Sequence, residues 1–98
     1  MVCRMVLEVA LIDVTPGAEQ AFRDGYAQAR HHLEGGVGSR SVRMTQGVET
    51  PTRFVLMIEW DSVESHNDFR GTDGFAEWRK LVGPHFAGPP RVEHFADV

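Results

Sequence analysis

Apolar residues alternate with a period of two from about residue 4 to residue 14. Cys3, Met5, Leu7, Val9 and Leu11 form one row, and Arg4, Val6, Glu8, Ala10 and Ile12 form the other. The odd row is wholly apolar and the even row half so, which predicts a strand in a sheet covered on both sides. The period then lengthens to three and four. Ala18, Phe22, Gly25 or Tyr26, Ala29 and Leu33 make one stripe over four turns. Thr15 is placed to cap this helix and Pro16 to occupy its first position, where no N–H is required. Gly35 and Gly36 end it, glycine tolerating the left-handed geometry of a helix C-terminus.

Strands are predicted over Ser39–Gln46 and Arg53–Trp60, joined by a loop containing Pro51. The second is apolar at nearly every position, as befits a central strand buried on both faces. Asp61 and Glu64 then have capping-box spacing, with Ser62 a competing cap, and a helix follows to about Arg70. Gly71 breaks it. Thr72 or Asp73 caps a second helical piece through Leu81, with Phe75, Trp78 and Val82 on one stripe. Gly83-Pro84 stops that piece, and Gly88-Pro89-Pro90 leads into a last strand over residues 91–96.

The order β-α-β-β-α-β is that of an α+β, ferredoxin-like fold. It has an antiparallel sheet with helices on one face, formed here as a single domain over residues 1–98. Helices on one side leave the other sheet face bare. That face carries Val6, Ala10 and Ile12, or else the odd row, together with one of the two apolar rows of the third strand. An apolar sheet face of this size marks an interface, so a two-fold homodimer is expected, sheet to sheet, with the last strand near the seam.

Composition narrows the partners. The 98 residues are 42% apolar and 24% charged, ordinary for a soluble globular domain, and the net charge of -4 gives no basic surface for nucleic acid. The longest apolar run, Phe54 to Ile58, is far short of the roughly 20 residues that span a bilayer. Met1 to Met5 does not read as a signal peptide, and the lone Cys3 offers no internal disulfide and reads as a small buried apolar residue at the start of the strand. A cytoplasmic protein without membrane or nucleic-acid partners is the expectation.

Candidate chemistry is concentrated late in the chain. No two of the five histidines stand four apart, so no metal motif is expected. The glycines at 35, 36 and 38 follow a helix and precede a strand, the reverse of a phosphate-binding loop. By contrast, Trp60, Ser62, His66, Phe69, Phe75, Trp78, Arg79, His85 and Phe86 fall within 27 positions. His66, three residues after Val63 and three before Phe69, belongs on or beside the buried stripe of its helix. Aromatic side chains with a few polar groups suit a pocket for a small apolar ligand. They also suit plain core packing, with His66 bonded to a backbone carbonyl and Arg79 and His85 at the surface.

The segment from Trp60 through Ser62 to His66, followed by Phe69, Phe75, Trp78-Arg79, the run Gly83 to Pro90, Val92 and His94-Phe95, resembles the antibiotic biosynthesis monooxygenase domain of the dimeric α/β barrel superfamily. The element order agrees over nearly the whole chain. That resemblance implies a ferredoxin-like dimer with a pocket between sheet and helices in each subunit. It also implies oxidation of a small aromatic, quinol or polyketide-like substrate by molecular oxygen, with no metal, flavin or other cofactor. In such chemistry the protein deprotonates a phenol or enol and keeps the anion dry. On this resemblance His66, at near-neutral pKa, is the expected catalytic proton acceptor. Trp60, Phe69, Trp78 and Phe86 are the expected substrate-binding aromatics, with Arg79 or His85 as partners for the anion.

A non-oxygenase, ligand-binding or isomerase-like member of the superfamily is the alternative. A further branch degrades haem with an Asn on its first strand and a Trp and ligating His on its second helical region. Here Ala10, Phe69 and Arg79 fall at those positions, and Arg cannot ligate iron as imidazole does, so haem chemistry ranks below both.

Overall fold

The two most apolar strands sit side by side at the centre of the sheet, where both edges and one face are shielded. In a computed structural model describing residues 5–98, the elements are β1 (Val6–Asp13), α1 (Glu19–Glu34), β2 (Ser39–Gln46), β3 (Arg53–Trp60), α2 (Val63–Phe69), α3 (Asp73–Val82), a 3₁₀ turn (Gly83–His85) and β4 (Arg91–Phe95). Cys3 lies outside the described residues. The sheet order is β2-β3-β1-β4, every pair antiparallel, and the fold is the ferredoxin-like α+β arrangement expected from the element order. Among the described residues no helix is long and apolar enough to cross a membrane.

The helices settle which face of β1 is inside. The even row is buried: Glu8, Ala10, Ile12 and Val14 are each at most 4% exposed. The uniformly apolar odd row, Leu7, Val9 and Leu11, is only half-buried and faces away from the helices. It runs beside Met57 and Val55 of β3 and Phe95 of β4, so the chain's cleanest apolar row lies on its uncovered face. Inside, Phe22, Ala29 and Leu33 of α1 join Ile12, Phe54, Leu56, Ile58 and Trp60. Phe22 and Phe54 pack at 4.5 Å between ring centroids, and burying each ring contributes roughly 1.5–3 kcal/mol.

Local turn chemistry decides two boundaries differently from expectation and chooses between two candidate caps at a third. The first helix begins at Glu19, not at Pro16, because Gly17 adopts a φ of +91° that no helix accommodates. Thr15–Ala18 is instead a turn closed by the Ala18 N–H on the Thr15 carbonyl. At the other end of α1, Gly35 remains right-handed, and the left-handed residue is Gly38 at φ +87°. For α2, Ser62 rather than Asp61 is the cap, its Oγ accepting the Ser65 N–H at 3.1 Å, while Asp61 turns outward to pair with Arg40. Thr72 caps α3 in the same way.

Candidate functional site

The register of the sheet lines up three chemical groups. Glu8 on β1 stands opposite Ile58 of β3 on one side and His94 of β4 on the other, all on the helix-facing side. The Ser62 cap sets the start of α2, and one turn later His66 points down onto the sheet, stacked on the Trp60 indole at 5.1 Å and 14°. The segment after α3 is tied to the end of β1 by backbone bonds. The Thr15 N–H donates to the His85 carbonyl at 2.9 Å, the Ala87 N–H donates to the Asp13 carbonyl at 2.7 Å, and Val14 bridges Phe86. This tether delivers Phe86, Pro89 and Pro90 to the space between sheet and helices.

The result is a cleft of about 700 Å³, within the usual range for small-molecule sites. Ala10, Ile12, Leu56, Trp78, Phe86 and Val92 line its apolar part, while Glu8 and His66 form its polar end. Arg70 and Arg79, both exposed, stand at its edge. Arg79 lies over the rings of Phe86 and Phe75, at 5.5 Å and 6.0 Å from their centroids, a cation–π arrangement.

The polar end is one connected chain. The Trp60 indole N–H donates to Glu8 Oε1 at 2.9 Å. His66 Nε2 lies 3.3 Å from the same oxygen. His66 Nδ1 and His94 Nε2 are 2.7 Å apart and share one proton, either ring being able to donate it. Glu8 and His66 are each 4% exposed.

Burial raises the Glu8 carboxyl above its ordinary value, opposed by the Trp60 hydrogen bond and the charge of Arg70. It lowers the His66 imidazole to about 4, with Arg70 and His94 pushing the same way, and burial and Arg70 also lower His94. His66 is therefore not the near-neutral imidazole anticipated from sequence. The positive charge of Arg70 and the Trp60 hydrogen bond favour the ionised form of Glu8 against the effect of burial.

Of the residues singled out in the sequence, His66, Phe75, Trp78, Arg79 and Phe86 line the cleft. Trp60 does not: it is fully buried behind His66 and acts on the cleft through its stack on that ring and its hydrogen bond to Glu8. Phe69 packs on Trp60 at 5.4 Å and faces a separate, smaller hollow beside Gly36 and His32. His85 is half-buried in the 3₁₀ turn and contributes its backbone carbonyl to the tether, not its ring to the cleft.

Glu8, Arg70, His94 and Val92 were not anticipated as site residues. A carboxylate alone in the row Val6, Ala10, Ile12 was the available signal for Glu8. Among the described residues no group of three or more His, Cys, Asp or Glu side chains converges on a metal position. His66 presents its two ring nitrogens to two different partners, not to one point.

Fold, cleft and buried carboxylate–imidazole pair together define a ferredoxin-like protein with a cleft of small-molecule size between sheet and helices. The chain matches the profile of the antibiotic biosynthesis monooxygenases over residues 5–81, and it belongs to that family. It is 34% identical over 95 residues to the uncharacterised protein YczJ of Bacillus subtilis, covering 96% of this chain and all of that one. A solved structure from Bordetella bronchiseptica, provisionally called an antibiotic biosynthesis monooxygenase, superposes with a TM-score of 0.93 at 43% identity, covering 97% of this chain and 98% of that one. A provisionally so named protein from Nitrosomonas europaea shares the fold, with a TM-score of 0.85 at 19% identity over 97% of this chain and 91% of its own.

Proposed function

We propose that the chain is a cofactor-independent monooxygenase acting on a small aromatic, quinol or polyketide-like substrate. The observation that carries this reading is the buried Glu8–His66 pair opening on an apolar, aromatic-walled cleft with two guanidinium groups at its edge. Such a site can take a proton from an acidic C–H or phenolic O–H and hold the resulting anion away from bulk water. Arg70 and Arg79 balance the anion, and Trp78 and Phe86 orient the ring. Once ionised, the substrate is itself the electron source for oxygen. For an anthrone, the carbanion passes an electron to O₂, the radical pair joins as a peroxide, and the hydroperoxide loses water. One CH₂ and one O₂ thus yield one C=O and one H₂O.

The test is oxygen uptake by metal-stripped protein against a panel of quinols and anthrones, with Glu8→Gln and His66→Ala in parallel. Uptake above background that falls in both variants is the expected result. Uptake that is the same in wild type and both variants would remove the cleft from the chemistry. A second reading, isomerisation through an enolate, draws on the same side-by-side proton carriers. It is favoured if the wild type exchanges substrate C–H for deuterium in the absence of oxygen and consumes none when oxygen is supplied.

We further propose that two chains pair through the uncovered sheet face. Leu7, Val9, Leu11, Val55, Met57 and Phe95 give that face an apolar surface with no helix over it.

A further inference from the structure

One member of the Glu8–His66 pair must receive the substrate proton, and their geometry distinguishes the two. A general base must offer a free lone pair to the reacting atom. His66 has none to spare. Its Nδ1 is held by His94 at 2.7 Å, and its Nε2 faces Glu8 Oε1 at 3.3 Å. Glu8 is different. Oε1 receives the Trp60 N–H and faces His66, whereas no described residue hydrogen-bonds Oε2. Glu8 itself lines the cleft.

We infer that Glu8 is the general base of this cleft, taking the substrate proton on Oε2, while Trp60, His66 and His94 are positioning residues that hold the carboxylate by its other oxygen. This deepens the function proposed above and rests on the same cleft. Every element packed around the carboxylate contributes to its setting. β3 supplies the Trp60 N–H, α2 supplies His66 and Arg70 just beyond its end, β4 supplies His94, and α3 places Arg79 on the same cleft.

Burial, which weakens His66 as a base, strengthens Glu8. The Trp60 bond and Arg70 oppose that rise and keep the ionised form accessible. The row on β1 has the same logic. Ala10 and Ile12, the next two inward positions, form an apolar floor beside the carboxylate, where a flat ring can lie with its acidic hydrogen towards Oε2.

A base can be tested without knowing the natural substrate. The probe is 5-nitrobenzisoxazole, a flat aromatic small enough for a 700 Å³ cleft. Removal of its C3 proton by Oε2 breaks the ring N–O bond, forms a nitrile and releases the coloured 2-cyano-4-nitrophenolate, with no oxidant involved. The wild-type protein should accelerate this above an equal concentration of acetate. The rate should rise with pH to a plateau as the single carboxyl ionises. Glu8→Gln keeps the shape and the Trp60 contact but cannot accept the proton, so the rate should fall by about 100-fold or more. Glu8→Asp should retain a reduced rate with the same form of pH profile.

His66→Gln should lower the rate and move the profile without abolishing it. The inference is overturned if Glu8→Gln, folded by circular dichroism, keeps the wild-type rate. It is also overturned if His66→Gln alone abolishes the rate, or if the wild type shows no acceleration. The assay is independent of oxygen. Probe turnover dependent on Glu8 with no oxygen uptake by any quinol would retain the base and discard the oxygenase reading. Oxygen uptake unaffected in Glu8→Gln would do the reverse.

Discussion

Acid should destabilise this protein through one buried imidazole. His66 ionises with its ordinary value of 6.5 in the unfolded chain and at about 4 in the folded one. Between those values the unfolded state binds the proton and the folded state does not. Stability from this group is therefore complete above pH 6.5 and is lost as pH falls through about 4. The gap between 6.5 and about 4, at about 1.36 kcal/mol per pH unit, amounts to roughly 3 kcal/mol. That is a large share of the roughly 5–15 kcal/mol that holds a domain together.

Glu8 works in the opposite sense. Its raised folded pKa makes the native state take up a proton before the unfolded chain does, so moderate acidification relieves the cost of its buried charge. The two effects are separated by comparing wild type with His66→Gln, in which Glu8 and the other carboxyls remain. Urea unfolding followed by tryptophan fluorescence suits the purpose, because both tryptophans are buried in the fold. Protein concentration should be held constant across pH 7, 6, 5 and 4. Wild type should lose roughly 3 kcal/mol more than His66→Gln across this range, with unchanged denaturant slopes. Parallel curves, within about 0.5 kcal/mol, would refute the claim that His66 is held neutral by burial.

Two further outcomes follow from packing. Gly25 lies where α1 meets α3, and a Cβ there would sit 2.6 Å from the Leu81 carbonyl oxygen, a backbone atom with little room to move. Gly25→Ala gains about 1 kcal/mol of helix preference but faces an overpacking cost of about 1–3 kcal/mol, so a thermal melt should show a net loss and a lowered midpoint. An unchanged or raised midpoint would show that the two helices part easily. On the uncovered face, Val9→Asp places a charge between Met57 and Glu93. Light scattering should then show the monomer mass where wild type shows twice that value, and an equal mass for both would remove this face as the interface.

Much of the fold is legible along the chain because its determinants are local. The alternation in β1, the three-and-four stripe of α1, the solid apolar run of β3 and the Ser62 and Thr72 caps each act within a few residues. Their order then admits the split β-α-β arrangement. The same locality makes His66 conspicuous, since it lies beside the apolar positions of a short helix. Where a local rule failed, as at Thr15 and Pro16, a neighbouring glycine in left-handed geometry diverted the chain into a turn.

The site itself required the third dimension. A period-two pattern defines two faces but does not say which one meets the helices, and the more apolar row of β1 proved to be the outer one. That choice alone turns Glu8 from a surface carboxylate into a buried one at the end of the cleft. His94 reaches His66 across 28 positions because β4 pairs with β1 in a register that no local signal specifies. Trp60 and Phe69 are aromatic residues of the same stretch as Trp78, yet packing sends them behind the cleft and to its far side. Sequence determined which segments fold and what chemistry they carry, because hydrogen bonding and side-chain periodicity are short-range. Only tertiary packing decided which of those groups lose water together, and that desolvation shifts the pKa values of the groups on which the proposed chemistry depends.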